Sequence, residues 1–189
     1  MVERWLEANR KAEQDGDWSK HLGAMYTDDA EYRWNMGANE EFVARSRKQI
    51  EEWALGVQME GFEQWRYPYD RVLIDEKQGE VVGFWRQVAP ALREDGTAYE
   101  VEGVGGSWFR YAGSYKWSWQ RDFFDLGNVK SLLFELAADD KLDPAVKKKI
   151  GQLAKGRLLP GHERIRKNPG FYKKIKGLYA MMRIALIGK

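Results

Sequence analysis

Near Trp65 the hydrophobic pattern of this 189-residue chain changes period, and that change constrains its fold more than any other feature. Before it, apolar residues recur at helical spacing. Val2, Trp5, Leu6 and Ala12 form one stripe, and Trp18, Leu22 and Met25 form a second after the breaker Asp15-Gly16-Asp17. The turn cluster Thr27-Asp28-Asp29 leads into a short alternating strand at 30–35. Ser46 and Gln49 have the spacing of a capping box, which opens a helix through Ile50, Trp53 and Ala54 that Gly56 can close. From Trp65 on, the period is two. Strands are predicted at 65–75, 80–88, 98–111 and 115–125. Lys77-Gln78-Gly79, Glu94-Asp95-Gly96 and Ala112-Gly113-Ser114 separate them with residues that tolerate positive φ. Gly103, Gly105 and Gly106 inside the third strand predict a bulge or sharp curl there. Leu132, Leu133 and Leu136 mark a short closing helix. Helices first and antiparallel strands afterwards make an α+β fold, with the helices on one face of a bent sheet.

Charge divides the chain in two. Residues 141–189 carry 14 Lys and Arg against Asp143 and Glu163, a net +12 hidden inside an overall +2. Residues 1–140 carry 17 bases and 27 acids, a net −10. The expected organisation is an acidic α+β domain over 1–140 and a basic helical extension over 141–189. In the extension, Val146, Ile150, Leu153 and Ala154 predict a helix within 144–159, ended by Pro160-Gly161. After the turn Asn168-Pro169-Gly170, an amphipathic basic helix of about 17 residues follows. Its apolar stripe is Phe171, Ile175, Leu178, Tyr179, Met182 and Leu186, flanked by Lys173, Lys174, Lys176 and Arg183. It is too short and too charged to span a bilayer. Three readings compete for this tail: docking on its own acidic body or a dimer mate, an anionic membrane surface met by 171–187, and nucleic acid. Nucleic acid is disfavoured because no recognition motif accompanies the charge and the acidic body repels phosphates.

Composition excludes several chemistries. Cysteine is absent, which rules out disulfides, thiolate metal sites and a cysteine nucleophile. His21 and His162 are the two histidines, so a multi-histidine zinc site is not expected and no metal site is assigned. The glycines at 103, 105 and 106 lie in a strand pattern, not in a strand–turn–helix nucleotide fingerprint, and the chain holds no GxxxxGK[ST] loop or GxSxG elbow. No cofactor is implied. The Met1 start lacks a basic-then-apolar leader, so the expectation is a cytoplasmic protein, peripheral at the membrane if the tail anchors it.

The order of elements, with several local motifs, resembles the nuclear-transport-factor-2-like (NTF2-like, also SnoaL-like) superfamily over about residues 2–138. The segment Leu22 to Trp34, with its run Tyr26-Thr27-Asp28-Asp29-Ala30-Glu31-Tyr32, is similar to that family's second helix and first strand. Ser46 to Trp53 is similar to its "G-R-x-A-I-x-x-W" helix, and Gly96 to Tyr99 with Gly103, Trp108 and Phe109 to its central strands. Trp119-Gln120-Arg121-Asp122-Phe123-Phe124-Asp125 resembles the "W-R-D-Y-F-D" strand of limonene-epoxide hydrolases. The resemblance implies a cone-shaped, curled, mixed or antiparallel sheet with helices on its concave face. It also implies an apolar pocket that takes a small hydrophobic molecule, and a homodimer formed through the outer sheet.

Within that frame Asp122 is the candidate catalytic base, because a carboxylate among bulky aromatics has its pKa raised toward neutrality. Strict alternation puts Asp122 on the same side as Ser118, Gln120 and Phe124, with Trp117, Trp119 and Arg121 opposite. Tyr32 and Arg86 are the candidate hydrogen-bond donors, and Trp34, Asn35, Gln120 and Phe124 the candidate pocket residues. In the epoxide hydrolases the final-strand aspartate activates water with help from a tyrosine and an asparagine two apart on the first strand. Here Tyr32 and Asn35 are three apart, and the segment Phe84-Trp85-Arg86-Gln87 lacks the family's acid-supplying aspartate. Single-carboxylate proton transfer, as in ketosteroid-isomerase-like and polyketide-cyclase-like relatives, tolerates that loss. The expectation is cofactor-free isomerisation, cyclisation or dehydration of a hydrophobic carbonyl compound. The alternatives are a non-catalytic ligand-binding or protein-interaction module, and an epoxide hydrolase with an altered acid.

Overall fold

The computed structural model describes residues 1–37, 39–165 and 170–187. Asn168 and Pro169 of the expected second tail turn lie outside the described residues. Helix α1 (Val2–Asp15) ends at Gly16, whose φ of 70° closes the helix in the left-handed region. Asp17 caps α2 (Trp18–Leu22) by accepting from the Lys20 amide at 2.9 Å. Strand β1 (Tyr26–Asn35) starts four residues earlier than the alternation predicts and turns back into β2 (Glu40–Ala44), a strand the alternation does not predict. Two adjacent acids in a five-residue stretch hide its pattern. The Ser46 hydroxyl accepts from the Gln49 amide at 3.2 Å to open α3 (Arg47–Gln49), which continues as a π-helix over Ile50–Ala54. The Gln49 side chain reaches back to the Arg45 amide at 2.7 Å, one residue short of the box geometry expected.

The strand region yields more and shorter strands than expected: β3 (Tyr69–Asp75), β4 (Glu80–Trp85), β5 (Val88–Leu92), β6 (Ala98–Glu100), β7 (Gly105–Tyr111) and β8 (Trp117–Phe123). The predicted strand over 98–111 breaks at Gly103, where φ is 96°. β6 then leaves to form a two-stranded ribbon with β5. The large sheet runs β3-β4-β7-β8-β1-β2 and ends on a short strand, β9 (His162–Arg164). Among the described residues only the β1–β8 pair of this sheet is parallel, so the sheet is mixed, curled and open. Its fold class is the α+β arrangement expected, with helices covering the inner face. Trp5 of α1 lies edge-on to Tyr26, Phe109 and Trp117, at centroid distances of 5.9, 5.0 and 6.0 Å. These aromatics form the centre of the main core.

Helix α4 (Leu126–Ala138) starts at Asp125, whose carboxylate accepts from the Asn128 amide at 3.0 Å. It packs Leu132 and Leu136 into a second core with Trp65 and Tyr99. Helix α5 (Pro144–Ala154) adds Val146 to that core. It ends at Ala154, before the predicted Pro160-Gly161 stop, because the chain turns at Gly156 with φ 73°. The Lys149 ammonium donates to the carbonyls of Val57 and Gln58 at 3.1 and 2.9 Å. β9 pairs with β2, and buried His162 meets Glu40 at 2.7 Å. The first half of the basic segment is therefore docked on the acidic body. Helix α6 (Phe171–Ile187) follows, with every residue exposed.

Candidate active site

Strand register brings the polar groups together. Asp122 lies opposite Ser107 on β7 and Trp34 on β1, so these three form one row across neighbouring strands. Phe109, Gln120 and Tyr32 form the adjacent row. Side chains that share a face two residues apart can then meet diagonally.

The Asp122 carboxylate accepts three hydrogen bonds. Ser107 Oγ donates to Oδ1 at 2.6 Å, Gln120 Nε2 donates to Oδ1 at 2.8 Å, and the Tyr32 hydroxyl donates to Oδ2. Two further side chains orient the donors. Trp85 Nε1 donates to Ser107 Oγ at 2.9 Å, and the Tyr26 hydroxyl donates to Gln120 Oε1. Ser107, Gln120 and Tyr32 are buried, and Asp122 is partly buried, with both of its carboxylate oxygens enclosed by these donors. Burial pushes the carboxyl up from its ordinary 3.8 to about 6, against the three donors, which favour the charged form. Burial first, and then the nearby Asp122 charge, hold the Tyr32 and Tyr26 phenols well above their ordinary range. They are neutral donors at any physiological pH.

The expected site residues separate into two groups. Asp122, Tyr32 and Gln120 meet in the network, and Trp34 sits beside it, edge-on to Tyr32 at 5.2 Å and stacked on Phe42 at 3.8 Å. Phe124 is partly buried against the main core, tilted 6.4 Å from Trp85. Asn35 and Arg86 are elsewhere. Asn35 is exposed and accepts from Arg121 Nη2 at 2.9 Å, because three residues from Tyr32 reverses its side of the strand. Arg86 is drawn outward by Asp70 and Glu100, both at 3.3 Å. Parity on β8 also differs from strict alternation. One step on β7 (Arg110 to Tyr111) matches two on β8 (Trp119 to Trp117), so Ser118 is a bulge and Trp117 turns inward with Gln120 and Asp122. Ser107, Tyr26 and Trp85 were not singled out in the sequence. Ser107 carried a usable signal, as a polar residue two before the inward Phe109.

Space is distributed unlike the expected pocket. Beside Trp5, Phe109 and Trp117 the interior is filled to a residual volume of about 10 Å³. A cleft of about 500 Å³ lies apart from Asp122, lined by Trp65, Ala89, Leu136, Leu142 and Val146, together with Glu63, Lys141 and Asp143. Among the described residues, no three His, Asp or Glu side chains gather as a metal-binding group.

No protein-family model and no curated protein matches the chain. Among solved structures it is similar to SalBIII, an epoxide hydrolase/cyclase-like enzyme in pyran ring formation in the polyether salinomycin. The identity is 15%, over 67% of this chain and 92% of that one, with a TM-score of 0.50. It is also similar to an NTF2-like protein from Anabaena variabilis, at 21% identity over 63% of this chain and 82% of that one, TM-score 0.47. The chain has the NTF2-like fold. A protein with a ketosteroid isomerase-like fold from Catenulispora acidiphila aligns as well, at 15% identity over 69% of this chain and 89% of that one, TM-score 0.48. At such identities the NTF2-like likeness concerns architecture and carries no activity across.

Proposed function

We propose that this NTF2-like chain is a cofactor-free proton-transfer enzyme acting on a small hydrophobic carbonyl compound, by isomerisation, cyclisation or dehydration, with Asp122 as the base. The observation that carries this reading is a carboxylate raised by burial to a pKa of about 6 and held by three neutral donors beside an aromatic core. Such a group is ionised at neutral pH and still basic enough to take a proton from carbon. A carboxylate offers about four lone-pair sites, and three are occupied, which leaves one for the substrate proton. Once Asp122 is protonated it accepts more weakly, and the Tyr32 hydroxyl is freed to turn toward the oxygen of the developing enolate. Arg86 has no part in this, since it is committed to Asp70 and Glu100 outside the network. The same displacement of Arg86 and Asn35 leaves epoxide opening by an altered acid without support.

The non-catalytic reading has one observation in its favour: the cone is filled beside Trp5 and Trp117, and the large cleft lies elsewhere. A nitrobenzisoxazole separates the two readings. Removal of its ring C–H proton breaks the N–O bond and releases a coloured cyanonitrophenolate, so any accessible carboxylate base of raised pKa accelerates it. The expected result is a rate that rises with pH through a midpoint of about 6. Asp122→Asn should lower it by about 10²–10⁴-fold. A wild-type rate no greater than that of free carboxylate buffer supports the binding module. Full activity in Asp122→Asn removes Asp122 as the base.

A further inference from the structure

We propose that α6 is an interfacial anchor that lays this protein on an anionic lipid surface. The helix exposes Phe171, Tyr172, Leu178, Leu186 and Ile187 at 80%, 80%, 64%, 81% and 63% of their surface, a density of bare apolar side chains found nowhere else on the described chain. A water-facing helix of this kind needs a covering. Its own body does not supply one, although the preceding basic stretch is docked there through Lys149 and β9.

The arrangement around the helix identifies the covering. At about 100° per residue, the arc holding Phe171, Ile175, Leu178, Met182 and Leu186 gives way on one side to Tyr172 and Tyr179, and then to Lys176 and Arg183. Apolar, then phenolic, then cationic is the order met on rising from acyl chains through the carbonyl region to the phosphates. Lys174 borders the arc on its other side, and Lys173 lies opposite; Ile184 and Ile187 fall outside the apolar arc. A protein groove requires no such ordering on the flank of a helix.

The position of the lysines is a second argument. Lys173, Lys174 and Lys176 lie in the first turns, where the helix dipole disfavours cations, and the first turn has no acid to offset them. Their charge does not serve the helix itself, and it matches an anionic surface outside. The body, with 27 acids and 17 bases over residues 1–140, is repelled by such a surface, so attachment falls to the tail. No described helix is long and apolar enough to cross a membrane, so α6 lies in the interface. This inference stands independently of the chemistry at Asp122.

The test is co-sedimentation of the full-length protein with phosphatidylcholine vesicles, with and without a minority of phosphatidylglycerol. Binding is expected only with the anionic lipid, and it should weaken as salt rises. Replacing Lys173, Lys174 and Lys176 together by Gln should lower the partition coefficient about 100-fold, at about five-fold per base. Leu178→Glu with Met182→Glu should abolish binding. Because these residues are exposed, the near-ultraviolet dichroism of both variants should match wild type, and Lys173→Arg with Lys174→Arg and Lys176→Arg should retain binding. Absence of wild-type binding, equal binding to neutral vesicles, or equal binding of wild type and the Glu variant overturns the proposal. So does a protein dimer that the Glu variant dissociates while vesicle binding is absent.

Discussion

Two ends of one interior share the same strands and do opposite things. At one end Trp5, Phe109 and Trp117 pack ring to ring at 4.7–6.0 Å and leave almost no space. Two residues along β7 and β8 the inner face turns polar, with Ser107 in place of Phe109 and Asp122 after Gln120. The aromatic end removes apolar surface from water and stabilises the fold. The polar end holds a carboxylate whose charging is opposed by burial, so it costs stability. Groups whose pKa is raised by burial cluster at functional sites, which is the ground for the proposed role of Asp122. The contrast teaches where to look for chemistry in this chain: at the row where the inner face turns polar, and not at the cleft beside Trp65 and Leu136.

The strongest way to break the comparison is at the aromatic end. Trp117 is fully buried, and Trp117→Ala should cost about 3–5 kcal/mol in chemical denaturation. Trp117→Phe should cost far less, because Trp117 Nε1 has no hydrogen-bond partner among the described residues and its removal relieves a buried polar group. Equal losses in the two variants would mean that the ring volume there does not matter.

The polar end gives an effect of opposite sign. Asp122 titrates near 6 when folded and near 3.8 when unfolded, so between these values the native state binds more protons. Its contribution to stability is therefore greatest below about pH 4, falls as pH rises to 6, and is level above. A shift of about two units corresponds to about 3 kcal/mol. Asp122→Asn is isosteric, and the Tyr32 hydroxyl can rotate to accept from the new amide. The variant should be more stable than wild type at pH 8 by about 1–3 kcal/mol, and that gap should close as pH falls through 6 toward 4. A variant less stable than wild type at pH 8 would show that Asp122 is a structural ion.

Much of this was legible in the sequence, for physical reasons. The change of period at Trp65 and the turn residues at 77–79, 94–96 and 112–114 mark where the sheet folds, because turn chemistry is local. Asp122, Gln120 and Tyr32 could be found because inward parity holds over short stretches of strand. The bulge at Ser118 could not. It arises from the mismatch between β7 and β8, which belongs to the pair of strands and to neither sequence alone, and so Trp117 was placed on the wrong side. Arg86 failed for a similar reason: its partners Asp70 and Glu100 are brought near only by the sheet and the ribbon. The filling of the cone was also illegible, since nine tryptophans can line a cavity or close one.

The most direct measurement is a titration of the Asp122 carboxyl itself, by carbon NMR or difference infrared spectroscopy, with Asp122→Asn identifying the signal. A midpoint of about 6 is expected for wild type. Tyr32→Phe removes a donor to the charged form and should move the midpoint up by about one unit. A wild-type midpoint near 4, unchanged by Tyr32→Phe, would mean that the carboxylate is an ordinary solvated acid and would contradict the account.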